Sequence, residues 1–336
     1  MKRLFRNFRF LIEYCLIFFP YLLMRISPHF TLRWFASFVS RGMFQFPSVR
    51  KLVTANVRTA FPDFSEKKVR LVARESLYNL VMNMLEFAWM TGVAKRIERW
   101  TFIADEVVKK LKFHTSKNER IIFVNPHLGS WEASAVIATH TCNIKMAAIA
   151  KVTRNPYLNN LLNKKCREIQ GLRIIFSKGA VKETIKALHE GLTIGTLIDQ
   201  NTRIRDGGIF VNFFGLPVPC SKSPATLWRY AKANNIPVAT LFGSVVRING
   251  RLTAHCEPLS KTLEEYADDR EIIQELMDIS EKYIRKFPEQ YLWLYKRFQH
   301  IPEDVTPEQR KRYPFYSSPA CPKFYDKRAK TDNHAE

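Results

Sequence analysis

His127 and Glu132 are the residues best suited to chemistry, within Arg120-Ile-Ile-Phe-Val-Asn-Pro-His-Leu-Gly-Ser-Trp-Glu132. An imidazole is the side chain that takes and returns a proton near neutral pH. A carboxylate beside it holds one tautomer and stabilises the imidazolium. On one continuous helix the H-x4-E spacing would splay the two side chains. With the histidine in a turn, the chain can fold back and bring them together. His127 then reads as a general base oriented by Glu132, able to draw a proton from an alcohol. The spacing alone arises easily by chance, so the surroundings must carry the assignment.

Other polar residues stand where α/β folds place ligands. Asp199 ends the apolar run Thr193-Ile-Gly-Thr-Leu-Ile-Asp199, and Gln200 and Asn201 follow. A polar cluster at the carboxyl end of a strand suits ligand binding, although an aspartate there equally caps a turn. Lys151 and Arg154 bracket the turn before Asn155-Pro156. Either fits a phosphate group, and a solvated basic loop fits them no less well. Metal binding by His127, Glu132, His140 and Asp199 lacks a recognisable ligand spacing. There is no Gly-x-Ser-x-Gly elbow and no phosphate loop. No metal or cofactor is therefore expected.

These residues need elements to hold them. Ile121–Val124 reads as a buried strand, broken by Asn125-Pro126, with a helix following in which Ser130 caps the first turn. His127 thus falls on a strand-to-helix turn. Strands are expected at 121–125, 145–150, 172–176 and 193–199, and helices at 131–140, 156–169 and 179–190. That alternation implies an α/β fold with a mainly parallel central sheet flanked by helices. A basic helix over 222–235 follows, then a strand from Pro237 to Ser244. Ile248-Asn-Gly-Arg251 reads as a tight hairpin turn. Thr262-Leu-Glu-Glu265 has capping-box spacing and starts a helix running to about Phe287. Phe213 and Phe214 either line an apolar groove or are ordinary core.

Residues 28–115 read as helical, with Ser65 capping one helix. Glu86 falls in an apolar stretch of that helix, where it must face solvent or meet a buried cation. The first 24 residues set Lys2, Arg3, Arg6 and Arg9 before a nearly apolar run. No cleavage site follows. The run is shorter than the roughly 20 residues of a spanning helix, and it contains Glu13 and Pro20. A short span and a helix lying in the membrane interface remain open. Four regions result: an anchor over 1–24, a helical region over 25–115, an α/β core over 116–300 and a loose polar tail over 301–336.

Composition narrows the partners. The 336 residues include 53 Lys and Arg against 31 Asp and Glu, a net charge of +22. Such a charge implies an anionic partner: anionic lipid, an acidic carrier protein or nucleic acid. The 25 Phe residues favour lipid, and no nucleic-acid-binding signature is present. Six scattered cysteines form no C-x-x-C pair, which fits reduced, buried thiols on the cytosolic side.

The segment around His127 resembles the Asn-x-His-x-Gly-x-Trp-Glu stretch of the lipid A biosynthesis acyltransferases. Further matches occur in order. They are Asn56-Val-Arg-Thr-Ala-Phe-Pro62, Glu86, Asn155-Pro-Tyr-Leu158, Arg167, Asp199-Gln200, Gly208-Ile-Phe-Val-Asn-Phe-Phe-Gly-Leu-Pro217 and Tyr291-Leu-Trp-Leu-Tyr-Lys-Arg-Phe298. The resemblance covers roughly residues 1 to 300. It implies a glycerolipid-acyltransferase-like fold with an inner-membrane anchor and the catalytic domain on the cytoplasmic face. It also implies acyl carrier protein as donor and a Kdo-bearing lipid A precursor, a glycolipid, as acceptor. His127 and Glu132 are then the catalytic pair, with Lys151, Arg154, Arg167, Asp199 and Gln200 on the substrates. The family usually has arginine where Lys151 stands. Two alternatives remain: acylation of another membrane lipid, such as a phosphatidylinositol mannoside or a lysophospholipid, and a non-enzymatic basic protein that binds lipid or nucleic acid.

Overall fold

A computed structural model of the chain describes residues 2–168, 171–176 and 180–326. Four helices lead: α1 (Lys2–Ile26), α2 (His29–Gln45), α3 (Pro47–Ala60) and α4 (Glu66–Val93). Ser65 starts α4 by accepting the Lys68 amide. Next come β1 (Thr101–Ile103), α5 (Asp105–Ser116), β2 (Arg120–Asn125), α6 (Trp131–Val136), β3 (Met146–Ala150) and α7 (Pro156–Asn159). The alternation continues with β4 (Leu172–Phe176), α8 (Ala180–His189) and β5 (Thr193–Leu197). A hairpin of β6 (Gly208–Phe213) and β7 (Leu216–Ser221) precedes α9 (Ser223–Ala233), β8 (Val238–Ile248), β9 (Arg251–Pro258) and α10 (Asp269–Lys286). Two short strands and two short helices close the chain: β10 (His300–Ile301), α11 (Pro307–Arg312), β11 (Ser318–Pro319) and α12 (Pro322–Tyr325).

The central sheet runs β1-β9-β8-β2-β5-β3-β4, parallel at every pairing except the β8–β9 hairpin. Asn249 (φ 50°) and Gly250 (φ 78°) turn that hairpin, as the Asn-Gly pair requires. A parallel sheet is covered on both faces, so its strands are apolar throughout. On β2, Ile122 and Val124 pack with Ile272, Ile273 and Leu276 of α10 on one side. Ile121 and Phe123 pack with Val107 and Leu111 of α5 on the other. At roughly 1.5–3 kcal/mol per buried side chain, these contacts fix the strand that delivers His127.

Several expectations need correction. The helix expected at 131–140 is α-helical only through Val136 and continues as a π-helix over Ile137–Thr141. The one expected at 156–169 becomes a π-helix over Asn160–Arg167. The helix expected from Thr262 to Phe287 is broken. Thr262 and Glu265 form their capping box around a single 3-10 turn, and Asp268 starts α10 separately by accepting the Glu271 amide. The loose tail is packed as far as residue 326. Tyr313 donates to the Pro217 carbonyl at 2.6 Å, Arg312 to the Phe214 carbonyl at 2.7 Å and Tyr316 to Asn56, while Phe324 is buried. Irregularly spaced aromatic anchors hold this segment, so it carries no periodic signal. Residues 327–336 of the expected tail lie outside the described residues.

Among the described residues no helix is long and apolar enough to cross a membrane. Arg6, Arg9, Glu13 and Arg25 interrupt α1. Tyr21 and Met24 of α1 and Leu32 and Ala36 of α2 are buried; Met24, Leu32 and Ala36 pack in one cluster with Val81, Met82 and Met90 of α4. The outer face exposes Phe5, Phe8, Leu16, Phe19, Phe30, Trp34 and Phe38, with Trp34 79% exposed.

Candidate active site

His127 and Asp199 meet because β2 and β5 are parallel neighbours in register. Asn125 pairs with Leu197, and two residues farther along each strand come His127 and Asp199. The Asp199 carboxylate holds the histidine twice. His127 N donates to Asp199 Oδ2 at 2.9 Å, and His127 Nδ1 lies 2.6 Å from Asp199 Oδ1. A carboxylate at Nδ1 assigns the proton to that nitrogen and leaves Nε2 as the base. Gln200 Nε2 lies 3.2 Å from this Nε2. The Trp131 ring packs edge-on against the imidazole, with centroids 5.1 Å apart.

The turn itself is fastened on two sides. Gly129 N donates to the Gln290 carbonyl at 2.9 Å, Ser130 N to Val245 O at 2.7 Å and Leu292 N to His127 O at 3.1 Å. Gly129 has φ +64°, and a Cβ there would stand 2.1 Å from the Val245 carbonyl. Only glycine fits this position. Ser130 does not cap α6 as expected. Its hydroxyl donates instead to Glu86 Oε2 at 3.2 Å.

Burial and charge oppose each other at the pair. Burial pushes the His127 pKa down, but the charge and hydrogen bond of Asp199, with the charge of Glu132, outweigh it and raise the net value. Burial pushes Asp199 up, yet His127 holds it below the usual carboxylate range. Arg297 is buried beside them and donates to Asn201 Oδ1 at 2.7 Å, Pro219 O at 2.8 Å and Cys220 Sγ at 2.8 Å. Its charge also favours ionised Asp199. The buried Tyr291 hydroxyl faces Asp199; its pKa is raised far above the ordinary value, first by burial and then by that carboxylate.

Glu132 is placed otherwise than expected. Its carboxylate receives the Arg167 fork, Nε to Oε2 at 3.1 Å and Nη2 to Oε1 at 2.5 Å. Arg167 Nη1 donates to Asn163 Oδ1 at 2.7 Å. A planar guanidinium matches a carboxylate in two-pronged fashion, and the π-helix presents Arg167 to the start of α6. Glu132 acts on His127 through its charge, while among the described residues its side-chain hydrogen bonds are to Arg167. Lys151 and Arg154 are exposed on the loop after β3, the strand beside β5. Phe213 and Phe214 are buried core aromatics. The buried Glu86 meets a partly buried cation: Arg247 Nε donates to Oε1 at 3.1 Å and Nη2 to Oε2, with His29 Nε2 3.3 Å from Oε1. Burial pushes Glu86 up, but Arg247 and His29 bring its pKa down to about 2.

Sequence reasoning gave no chemical role to Trp131, Tyr291 or Arg297. The available signal was the arginine closing the aromatic run Tyr291-Leu-Trp-Leu-Tyr-Lys-Arg297. A small apolar cavity of about 50 Å³ lies beside the strand, lined by Val107, Leu111, Phe123, Ile137 and Met146 together with Asn125, two residues before His127.

A buried carboxylate and a histidine whose Nε2 is left as the base form a site for drawing a proton from a hydroxyl. The sequence comparison decides the family. The family model for bacterial lipid A biosynthesis acyltransferases matches residues 1–300. The chain belongs to that family. Among curated relatives of this lipid A acyltransferase family member, a lipid A biosynthesis acyltransferase of Haemophilus influenzae is 26% identical, over 75% of this chain and 78% of its own length. The lipid A biosynthesis myristoyltransferase of Escherichia coli is 24% identical, over 79% of this chain and 80% of its own. The lauroyltransferase of the same organism is also 24% identical, over 76% and 80%. Relatives named for acyl transfer make this lipid A acyltransferase family member an enzyme of the same general reaction.

Proposed function

We propose that the protein transfers a fatty acyl chain from an acyl carrier protein thioester to a hydroxyl of a lipid A precursor. The observation that carries this is the Asp199–His127 pair at the carboxyl edge of the sheet, with Nδ1 engaged by Asp199 and Nε2 against the Gln200 amide. His127 Nε2 takes the hydroxyl proton as the oxygen attacks the thioester carbonyl. Asp199 holds the tautomer and stabilises the imidazolium. Glu132, braced by Arg167, adds negative charge nearby. Lys151 and Arg154 meet phosphate groups of donor or acceptor. Gly129 N and Ser130 N are engaged by carbonyls, so neither serves an oxyanion.

Attachment to the cytoplasmic face of the inner membrane is part of the same proposal. The exposed aromatics of α1 and α2 enter the interface, with Arg6, Arg9 and Arg33 near anionic headgroups. The net charge of +22 suits an acidic carrier protein and a phosphorylated acceptor. The test is mass spectrometry of lipid A from a strain lacking the gene, complemented with wild type or His127→Ala. Wild type restores one acyl chain and the variant does not. Lipid A of unchanged mass in the deletion strain would send the search to other membrane lipids.

A further inference from the structure

We propose that Gln200 is a further catalytic residue: it caps the proton-accepting nitrogen of His127 until an acceptor hydroxyl displaces it, and so keeps the acyl group from passing to water. This rests on His127 being the base. With Nδ1 on Asp199, Nε2 is the ring position left for a reacting proton. The Gln200 amide occupies that position at 3.2 Å. An N–H donated into the Nε2 lone pair makes the base unusable until it leaves.

The surroundings divide into a fixed post and a movable arm. His127 is 6% exposed, whereas Gln200 is exposed, so the amide stands between the base and solvent. The backbone on both sides is fastened. Asp199 is tied to His127, Asn201 N donates to the Tyr295 hydroxyl at 2.9 Å, and the Asn201 side chain donates to Lys296 O and accepts from Arg297. Among the described residues, the one hydrogen bond of the Gln200 side chain is to His127. Rotation about its side-chain bonds therefore frees Nε2 without disturbing Asp199. The amide and a substrate hydroxyl compete for one lone pair, and a bound glycolipid presents its hydroxyl at high local concentration.

The chemistry at stake is the same for two nucleophiles. An O–H gives its proton to Nε2 as the oxygen forms a bond to the thioester carbon and the carbonyl electron pair moves to oxygen. Collapse breaks the C–S bond, and the leaving thiolate takes the proton back from Nε2. With the acceptor the product is an ester; with water it is a free fatty acid. Capping Nε2 while no acceptor is bound disfavours the second outcome.

The test uses the full chain with lauroyl-acyl carrier protein and with lauroyl-coenzyme A. Thiol release without acceptor is measured beside acyl transfer to a lipid A precursor. Gln200→Ala should raise the ratio of hydrolysis to transfer about tenfold or more, within the range that base access supplies. The gain should vanish in the Gln200→Ala/His127→Ala double variant. Thermal unfolding confirms that each variant is folded. A ratio equal to wild type in Gln200→Ala, with both activities lost in His127→Ala, overturns the cap and leaves the base in place. Transfer that survives His127→Ala removes the base and the cap together.

Discussion

Replacing Asp199 with asparagine removes one charge and reverses one hydrogen bond. The carboxylate accepts from both His127 N and Nδ1. An amide can accept only one of them, and its NH2 then faces the other donor. The lost attraction is about 4 kcal/mol, taking charge centres about 4 Å apart at an effective dielectric of about 20. Desolvation offsets part of it, since burial is the largest influence on both groups. At 1.36 kcal/mol per decade, a fall of about 10²–10³ in kcat/KM follows. The pH profile should move as well. Asp199 raises the His127 pKa, and the base works only when neutral, so the acidic limb of kcat/KM should shift to lower pH in Asp199→Asn. Glu132→Gln is the comparison. It keeps the amide oxygen for Arg167 but loses the charge, so its effect should be smaller and its acidic limb should move the same way by less. The assay is acyl transfer from pH 5 to 9 on both variants, with thermal unfolding in parallel. Near-wild-type turnover in Asp199→Asn together with a severe loss in Glu132→Gln would refute the assignment of Asp199 as the partner of the base.

Three further outcomes are expected. Glu86→Gln leaves the Arg247 guanidinium without its counter-charge and should cost roughly 3–5 kcal/mol in denaturant unfolding. Because the Glu86 pKa is lowered to about 2, its contribution to stability is present above about pH 4.5 and lost as pH falls toward 2; the variant should lack that part of the acid sensitivity. Trp34→Glu with Phe38→Glu, on the exposed face of α2, should cut binding to anionic liposomes at least tenfold while unfolding stays close to wild type, and undiminished binding would place the lipid contact elsewhere. Tyr316→Phe removes the hydroxyl that meets Asn56 and should cost about 1 kcal/mol in unfolding; no change would show that packing alone seats the C-terminal segment.

The strand-and-helix alternation was legible because parallel strands are apolar runs of recognisable length. His127 was legible because Pro126 and Gly129 mark a turn directly after such a run. The partner of His127 was not, because sequence order does not state which strands are neighbours. Asp199 follows β5, the third strand after β2 in the sequence, yet β5 adjoins β2 in the sheet. Spacing favoured Glu132, five residues away, over a carboxylate 72 residues away. The fate of Glu132 depended on Arg167, whose direction is set by a π-helix, and no periodicity at 3.6 residues announces that. Ser130 looked like an N-cap by type, but a buried carboxylate from α4 competed for its hydroxyl. The C-terminal segment looked loose because isolated tyrosines and Phe324, rather than a repeating pattern, attach it.

The ion pair between Glu86 and Arg247 bears on how the chain can be cut. Glu86 belongs to α4, in the helical part, and Arg247 to β8, in the sheet. A recombinant fragment starting near residue 116 would retain Arg247 and lose Glu86, His29 and the Asn79 carbonyl that accepts from Arg247 Nη1 at 3.2 Å. Stranding such a charge costs about 3–5 kcal/mol, a large share of the 5–15 kcal/mol that holds a typical protein folded. The fragment would also lose the Ser130 hydroxyl's acceptor, directly beside the turn that carries His127. Crystallisation or screening of the sheet part alone should therefore yield aggregated protein, and chimeras between relatives should exchange α4 and β8 as a matched set.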